Sequence, residues 1–465
     1  MTETTTFKKR KTLKITLIAL AALIVLLLVG LLMVWIMSGR PSFGRVENIT
    51  PPITIDTSDF TGFAVDALYL VQTIERTHPI FIVDGWLPYN YEIMRDEFLL
   101  YAQNPNITRL DFVFAAKHFI TVLRDGHMSG MMMEVCDEGR LQRIIHGGTL
   151  DINWIAQDGN LFLHGEQVKE VGGVSVAQVL ATVDRYYYSE NEADRQFNHA
   201  RFSRYGDVIE RAGGEIKNGT VTVLIQNEDN TATITVPLSF ERVSQDFDFI
   251  IRYEMLDDIF FIDLRTFVMG DHITETVKAI EQAVANGTRK FIVDLRGNGG
   301  GNSLAGQRLL EAMDITIPQF GAVRRISPLP IATHSHLWDM RLLSWFGYDY
   351  MRFNPSVVSN SNPNDVFVSV LTDVESYSSA NMMATWVQDG GFGNIIGSPS
   401  RQAPTNFGDV IWYSLPHSGI WTNVSFTHWL RPDAQADQTT LWPDIIVDPV
   451  NALEVAVEYL RNLGR

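Results

Sequence analysis

Asp294-Leu295-Arg296-Gly297-Asn298-Gly299-Gly300-Gly301 follows directly on the apolar run Phe291 to Leu295, and this junction decides the fold. A short apolar run bounded by turn residues reads as a buried strand. A glycine cluster between strand and helix lets several backbone N–H groups converge on one point at a positive helix end. Two common uses of such a loop are excluded. A P-loop ends in Gly-Lys-Ser/Thr, but Gly301 is followed by Asn302-Ser303. A dinucleotide loop counted from Gly297 needs glycine at its sixth position, which is Asn302. Two readings remain: a cradle for a developing oxyanion, or a plain strand-to-helix turn.

Outward from this loop the strand–helix rhythm repeats. Ile259 to Ile262 reads as a strand, Thr274 to Val284 as a helix closed by Asn286-Gly287, and Phe291 to Leu295 as the next strand. A second cycle runs from the strand Val366 to Leu371 through the helix Ser379 to Gln388 to the extended Asn394 to Gly397. Strand, helix, strand at this spacing predicts βαβ crossovers and a largely parallel sheet, so residues 246–465 form an α/β domain. Ser378 lies where the second strand hands over to its helix. There a serine either presents its hydroxyl to the crevice at the strand ends or merely caps the helix. The N–H of Ser379 sits at the same positive helix end.

Upstream, residues 136–245 read mostly as strands, at Leu161 to Leu163, Thr220 to Ile225 and Ala232 to Leu238, with a short helix from Ser175 to Val183. Residues 60–135 read as helical. Thr108-x-x-Asp111 is a capping-box pattern before Phe112, Ala115, Ala116, Phe119 and Val122, and the helix stops at Asp125-Gly126 with His127 beyond. Residues 38–59 form a proline-bearing linker.

Ile15 to Met37 carries no charge and is long enough to span a bilayer. It is too long for a signal-peptide core, and Met37-Ser38-Gly39 is a poor cleavage site, so a retained anchor is expected over a cleaved signal. Lys8, Lys9, Arg10, Lys11 and Lys14 are expected to keep the stub 1–14 cytoplasmic, which places everything after about Ser38 outside a cell membrane crossed once. The chain has 54 acidic and 37 basic side chains, a net charge of −17. Through Arg40 the balance is +5, leaving −22 on the remainder, which repels phosphate backbones and excludes nucleic acid as a partner. The lone Cys136 cannot make an internal disulfide and reads as core filling.

The glycine string, followed by Ser378-Ser379-Ala380-Asn381, Gln388-Asp389 and Ile395-Ile396-Gly397, resembles the C-terminal processing (tail-specific) serine peptidase superfamily across roughly residues 60–450. The resemblance implies a ClpP/crotonase-like βαβ catalytic core and Ser378 as nucleophile, with Ser379 as the alternative if the register slips by one. It also implies backbone N–H groups of Gly299, Gly300 and Ser379 at the oxyanion. The Ser–Lys branch places its lysine at the position of Ala403, and no lysine occurs after Ser378. Arg401 does not give up its proton near neutral pH. The tricorn-like branch uses a histidine, and Asp125-Gly126-His127 resembles its string, which implies His127 as base. His334, His336 and His78 lie in less suitable contexts. The branch's orienting glutamate, a few residues before a Pro-Asp pair, corresponds to Asp437 ahead of Pro443-Asp444, with Asp433 as an alternative.

Val171-Gly172-Gly173-Val174-Ser175 resembles a turn of a PDZ-like module. The expected reaction is hydrolysis of a peptide or unfolded protein through an acyl-enzyme, with no metal and no cofactor. The competing expectation is an inactive peptidase fold that binds a peptide or lipid, since Asn381 and Asp437 replace the usual glutamates.

Overall fold

The computed structural model describes residues 41–45, 53–128, 132–135, 141–144, 147–227, 230–240, 251–333, 338–357 and 361–463, plus six helical positions between 20 and 30. Cys136, His334, His336, the stub 1–14 and most of the expected span 15–37 lie outside these residues. Among the described residues no helix is long and apolar enough to cross a membrane.

The βαβ rhythm produces a six-stranded sheet in the order Ile251–Leu256, Ile259–Leu264, Lys290–Asp294, Phe367–Thr372, Gly393–Gly397, Ile445–Ile446. All neighbours are parallel except the first pair. The inner strands Lys290–Asp294, Phe367–Thr372 and Gly393–Gly397 are buried on both faces because both faces are covered, whereas the edge strand Ile251–Leu256 is largely exposed. Phe291, Val293, Val368 and Val370 pack with Ala380, Met383 and Ala384 of the Ser379–Gly390 helix. Ile259, Ile292, Leu371 and Ile396 pack on the other face with Ala452, Ala456 and Leu460 of the Ala452–Asn462 helix.

The Phe63–Thr77, Tyr91–Ala102 and Arg109–Ile120 helices make the amino-terminal part. Both halves of the Thr108–Asp111 capping box form, an arrangement that contributes about 1 kcal/mol. These helices share one core with Phe407, Ile411, Val424 and Phe426 of the antiparallel Asn406–Ser414 and Trp421–Leu430 strands. The helical region is therefore continuous with the carboxyl-terminal part, packed on a second, antiparallel sheet of seven strands.

The third sheet holds residues 149–239. Gly172 and Gly173, at φ 64° and 80°, make the two-residue turn between Glu166–Val171 and Val174–Ser175, the conformation a tight hairpin requires. Ser175 caps the Val176–Tyr186 helix through a capping box with Gln178. The sequence reading missed two helices here, Glu192–Phe202 and Gly206–Arg211. The first is polar over most of its surface and lacks a clear apolar period. It starts at Asn191, whose side chain accepts the N–H of Asp194, and this turn reaches the functional site.

Candidate active site

Leu295 N–H donates to Leu371 O, Tyr377 N–H to Asn298 O, and Gly297 N–H to both carboxylate oxygens of Asp373. The glycine loop and the Ser378 segment are thereby laced together. Gly300 has φ 99°, and a Cβ there would lie 2.6 Å from Ser378 Cβ and 2.9 Å from Ser379 N. Only glycine allows the loop to come this close.

Ser378 is the N-cap of the Ser379–Gly390 helix but makes no side-chain cap bond. Its φ is 55°, a left-handed value uncommon outside glycine and typical of strained functional positions. The hydroxyl instead lies 3.2 Å from His127 Nε2, across 251 positions of sequence. The N–H of Ser378 donates to Gln402 Oε1. Asn381 holds that loop, donating from Nδ2 to Ser400 Oγ at 2.6 Å and Gln402 O at 2.9 Å.

His127 is fixed through its backbone. Its N–H donates to Asp125 Oδ1 at 2.8 Å, and its carbonyl accepts from Asn423 Nδ2 at 3.0 Å. Asp125 Oδ2 accepts from Ser425 Oγ at 2.6 Å and faces His78 Nε2 at 3.2 Å. His78 Nδ1 accepts the N–H of Ile80, so Nε2 carries the proton toward Asp125. Burial pushes the Asp125 carboxyl up, but the His78 contact, with help from His127 and Ser425, holds it below the usual range. Burial lowers the His127 pKa, only partly offset by the Asp125 charge, so the imidazole is neutral and able to accept a proton at pH 7. Its Nδ1 is buried, and the Phe407 backbone adds to Asp125 in favouring the protonated ring.

Two expectations about this site are corrected. The Asp437 carboxylate does not meet His127. It accepts from Thr439 N and Oγ1, Thr440 N and Trp442 Nε1, closing its own turn. That loop is held by Arg431, which donates to the Asp437 carbonyl and pairs with buried Asp389 at 2.7 Å. The alternative, Asp433, accepts from Gln435 N–H and does not meet His127 either. The N–H of Gly300 donates to Asn298 Oδ1 at 2.8 Å and is committed there, so the glycine supplies close approach instead of a donor. Among the described residues the N–H groups of Gly299 and Ser379 have no protein acceptor.

Glu190 was missed by the sequence reading. It reaches the site from the β-rich region, accepting N–H from Gly126 at 3.1 Å and from Ala403 at 2.8 Å, and O–H from Tyr377 at 3.2 Å. Burial and the nearby Asp194 charge push its carboxyl up to about 8. The only local hint is Gly126 itself, where a Cβ would lie 2.3 Å from Glu190 Oε1.

A cavity of about 450 Å³ opens over Ser378, with Phe320, Met382, Phe426 and Trp429 as apolar wall and Arg324 and Asp409 as polar rim. A hydroxyl against a neutral imidazole, beside main-chain donors and an apolar cleft, can perform acyl transfer.

Comparison with known proteins agrees with this chemistry. No curated protein matches the chain. Residues 258–447 match the model of peptidase family S41. Among solved structures, mature CPAF is 15% identical with a TM-score of 0.56, covering 86% of this chain and 96% of that one. Mature CPAF complexed with lactacystin gives 15% identity and a TM-score of 0.55, covering 86% and 97%. The photosystem II D1 C-terminal processing protease is 15% identical with a TM-score of 0.43, covering 84% and 94%. At such identity the two CPAF structures speak for the fold alone, and the family match carries the class for the part it covers: residues 258–447 form an S41 serine peptidase region.

Proposed function

We propose that this serine peptidase is a membrane-anchored endopeptidase whose ClpP/crotonase-like catalytic core lies outside the cytoplasm and works through a Ser378–His127 pair. The observation that carries the mechanism is the 3.2 Å approach of His127 Nε2 to Ser378 Oγ. In this reading Nε2 takes the hydroxyl proton as Oγ bonds to the peptide carbonyl carbon. The carbonyl electrons move to oxygen, which the Gly299 and Ser379 N–H groups receive. His127 then returns the proton to the leaving amine as the C–N bond breaks, and water attacks the acyl-enzyme by the same route. The uncharged stretch Ile15 to Met37 and the five basic residues before it support the anchor and its orientation. A peptide or unfolded protein is the substrate class.

A fluorophosphonate probe tests the mechanism. Wild-type protein is expected to label, Ser378→Ala not at all, and His127→Ala at least about a thousandfold more slowly. A wild-type protein that never labels defeats the peptidase mechanism in favour of a binding protein.

A further inference from the structure

We infer that Glu190 is a positioning residue through which the β-rich region holds the catalytic pair in register. The inference rests on the Ser378–His127 reading above and assigns what keeps that pair together.

Its carboxyl joins three chain segments that lie far apart in the sequence. Oε1 accepts from Gly126 N–H and Tyr377 O–H, and Oε2 accepts from Ala403 N–H, at separations of 64, 187 and 213 positions. Each partner adjoins a working residue. Gly126 precedes His127, Tyr377 precedes Ser378, and Ala403 follows Gln402, the acceptor of the Ser378 N–H. One side chain thus sets the base, the nucleophile and the loop behind the nucleophile against one another.

The fit at Gly126 is tight. A methyl group there would lie 2.3 Å from Glu190 Oε1 and 2.6 Å from the Tyr377 hydroxyl. The turn bearing Glu190 is itself keyed to the segment it serves. Asn191 Nδ2 donates to Ser400 O at 3.1 Å, and Arg401 lies 3.6 Å from Asp194. Arg401 also stacks on Tyr377 at 4.1 Å, and Asp194 Oδ2 accepts the Glu190 N–H at 3.0 Å.

Glu190 works through these segments and not as a hydrogen-bond partner of the imidazole. Its carboxyl bonds to Gly126 N–H, Tyr377 O–H and Ala403 N–H, and none of these bonds goes to the His127 ring, although the two side chains lie within 4.8 Å of each other. With its pKa raised to about 8 by burial, the clamp is neutral at pH 7. A neutral group of the same shape should therefore keep most of its effect. Glutamine retains acceptors for two of the three donors, whereas alanine leaves all three unpaired.

The test uses the full chain in detergent, reading fluorophosphonate labelling rates and steady-state cleavage of denatured, fluorescently labelled casein. For Glu190→Ala, kcat and labelling rate are expected to fall about a hundredfold, with KM within about threefold and a cooperative melt retained. Glu190→Gln should stay within about tenfold of wild type. Glu190→Ala labelling at the wild-type rate overturns the inference, as does Glu190→Gln falling as far as Glu190→Ala. If Glu190→Ala does not fold, Glu190→Asp decides, because it keeps the carboxyl but is one methylene short. A loss of about tenfold or more supports the clamp, and an unchanged rate sinks it. Ser378→Ala and His127→Ala are run alongside. If His127→Ala labels normally, the Ser–His reading itself fails. If both controls lose labelling while the Glu190 variants do not, only the clamp fails.

Discussion

The loop 294–301 reaches Ser378 through its main chain, whereas the turn 187–191 reaches it through one side chain. In the loop, glycines remove atoms: Gly300 lets the backbone lie where any Cβ would strike Ser378. In the turn, Glu190 adds a group that three distant backbone and hydroxyl donors share. The first arrangement is written in neighbouring residues, since positive φ and close approach are properties of a short stretch. The second exists only once helices 176–186 and 192–202 are docked, because every hydrogen-bond partner of the carboxyl lies at least 64 positions away and Asp194 holds only the Glu190 backbone N–H. The same site therefore contains one part that is robust to changes elsewhere and one that reports on how the β-rich region sits.

The sharpest way to break this comparison is Gly300→Ala. The new methyl meets Ser378 Cβ at 2.6 Å in a backbone conformation with φ 99°. Strain of about 1–3 kcal/mol and a shifted nucleophile are expected to lower labelling by at least about a hundredfold. Labelling within threefold of wild type would show that the loop does not set the nucleophile's place.

A smaller effect separates the turn from the loop by pH. The folded-state pKa of Glu190 is raised to about 8 from 4.5, so between these values the native state holds a proton that the unfolded chain has lost. Stability from this group is fully present below about 4.5, declines as pH rises to about 8, and is then level. Glu190→Gln has no such titration. Its melting temperature should thus gain on wild type as pH climbs from 5 to 8, and parallel curves would refute the shift. Asp194, raised to about 6 by burial, adds a slope of the same sign at lower pH.

The smallest effect is expected at Asp437. Its carboxylate caps its own turn, so Asp437→Ala should leave labelling within about threefold and lower stability by about 1 kcal/mol. Loss of activity there would restore a role for this loop at His127 that the geometry does not display.

Gln388 and Asp389 belong to the recognisable string, yet their partners explain them structurally. Arg431 binds both side chains, and Asp444 of the Pro-Asp pair accepts the Ile395 N–H at 2.7 Å. These residues pin the loop 431–444 to the sheet. The same pinning places Asp437 away from His127, which no count along the sequence could reveal.

What the sequence by itself determined was local: the strand–helix alternation of the parallel core, the Thr108 and Ser175 caps, the Gly172-Gly173 turn, and the glycine loop beside Ser378. Periodicity, capping and φ preference depend on residues a few positions apart, so they survive reading without coordinates. Tertiary structure alone decided that Ser378 faces His127 instead of capping its helix, that Gly300's N–H belongs to Asn298, and that Glu190, not Asp437, enters the site. Those outcomes turn on distances of a few tenths of an ångström between segments up to 251 positions apart. They are set by how three sheets and their helices pack, which short-range preference does not encode.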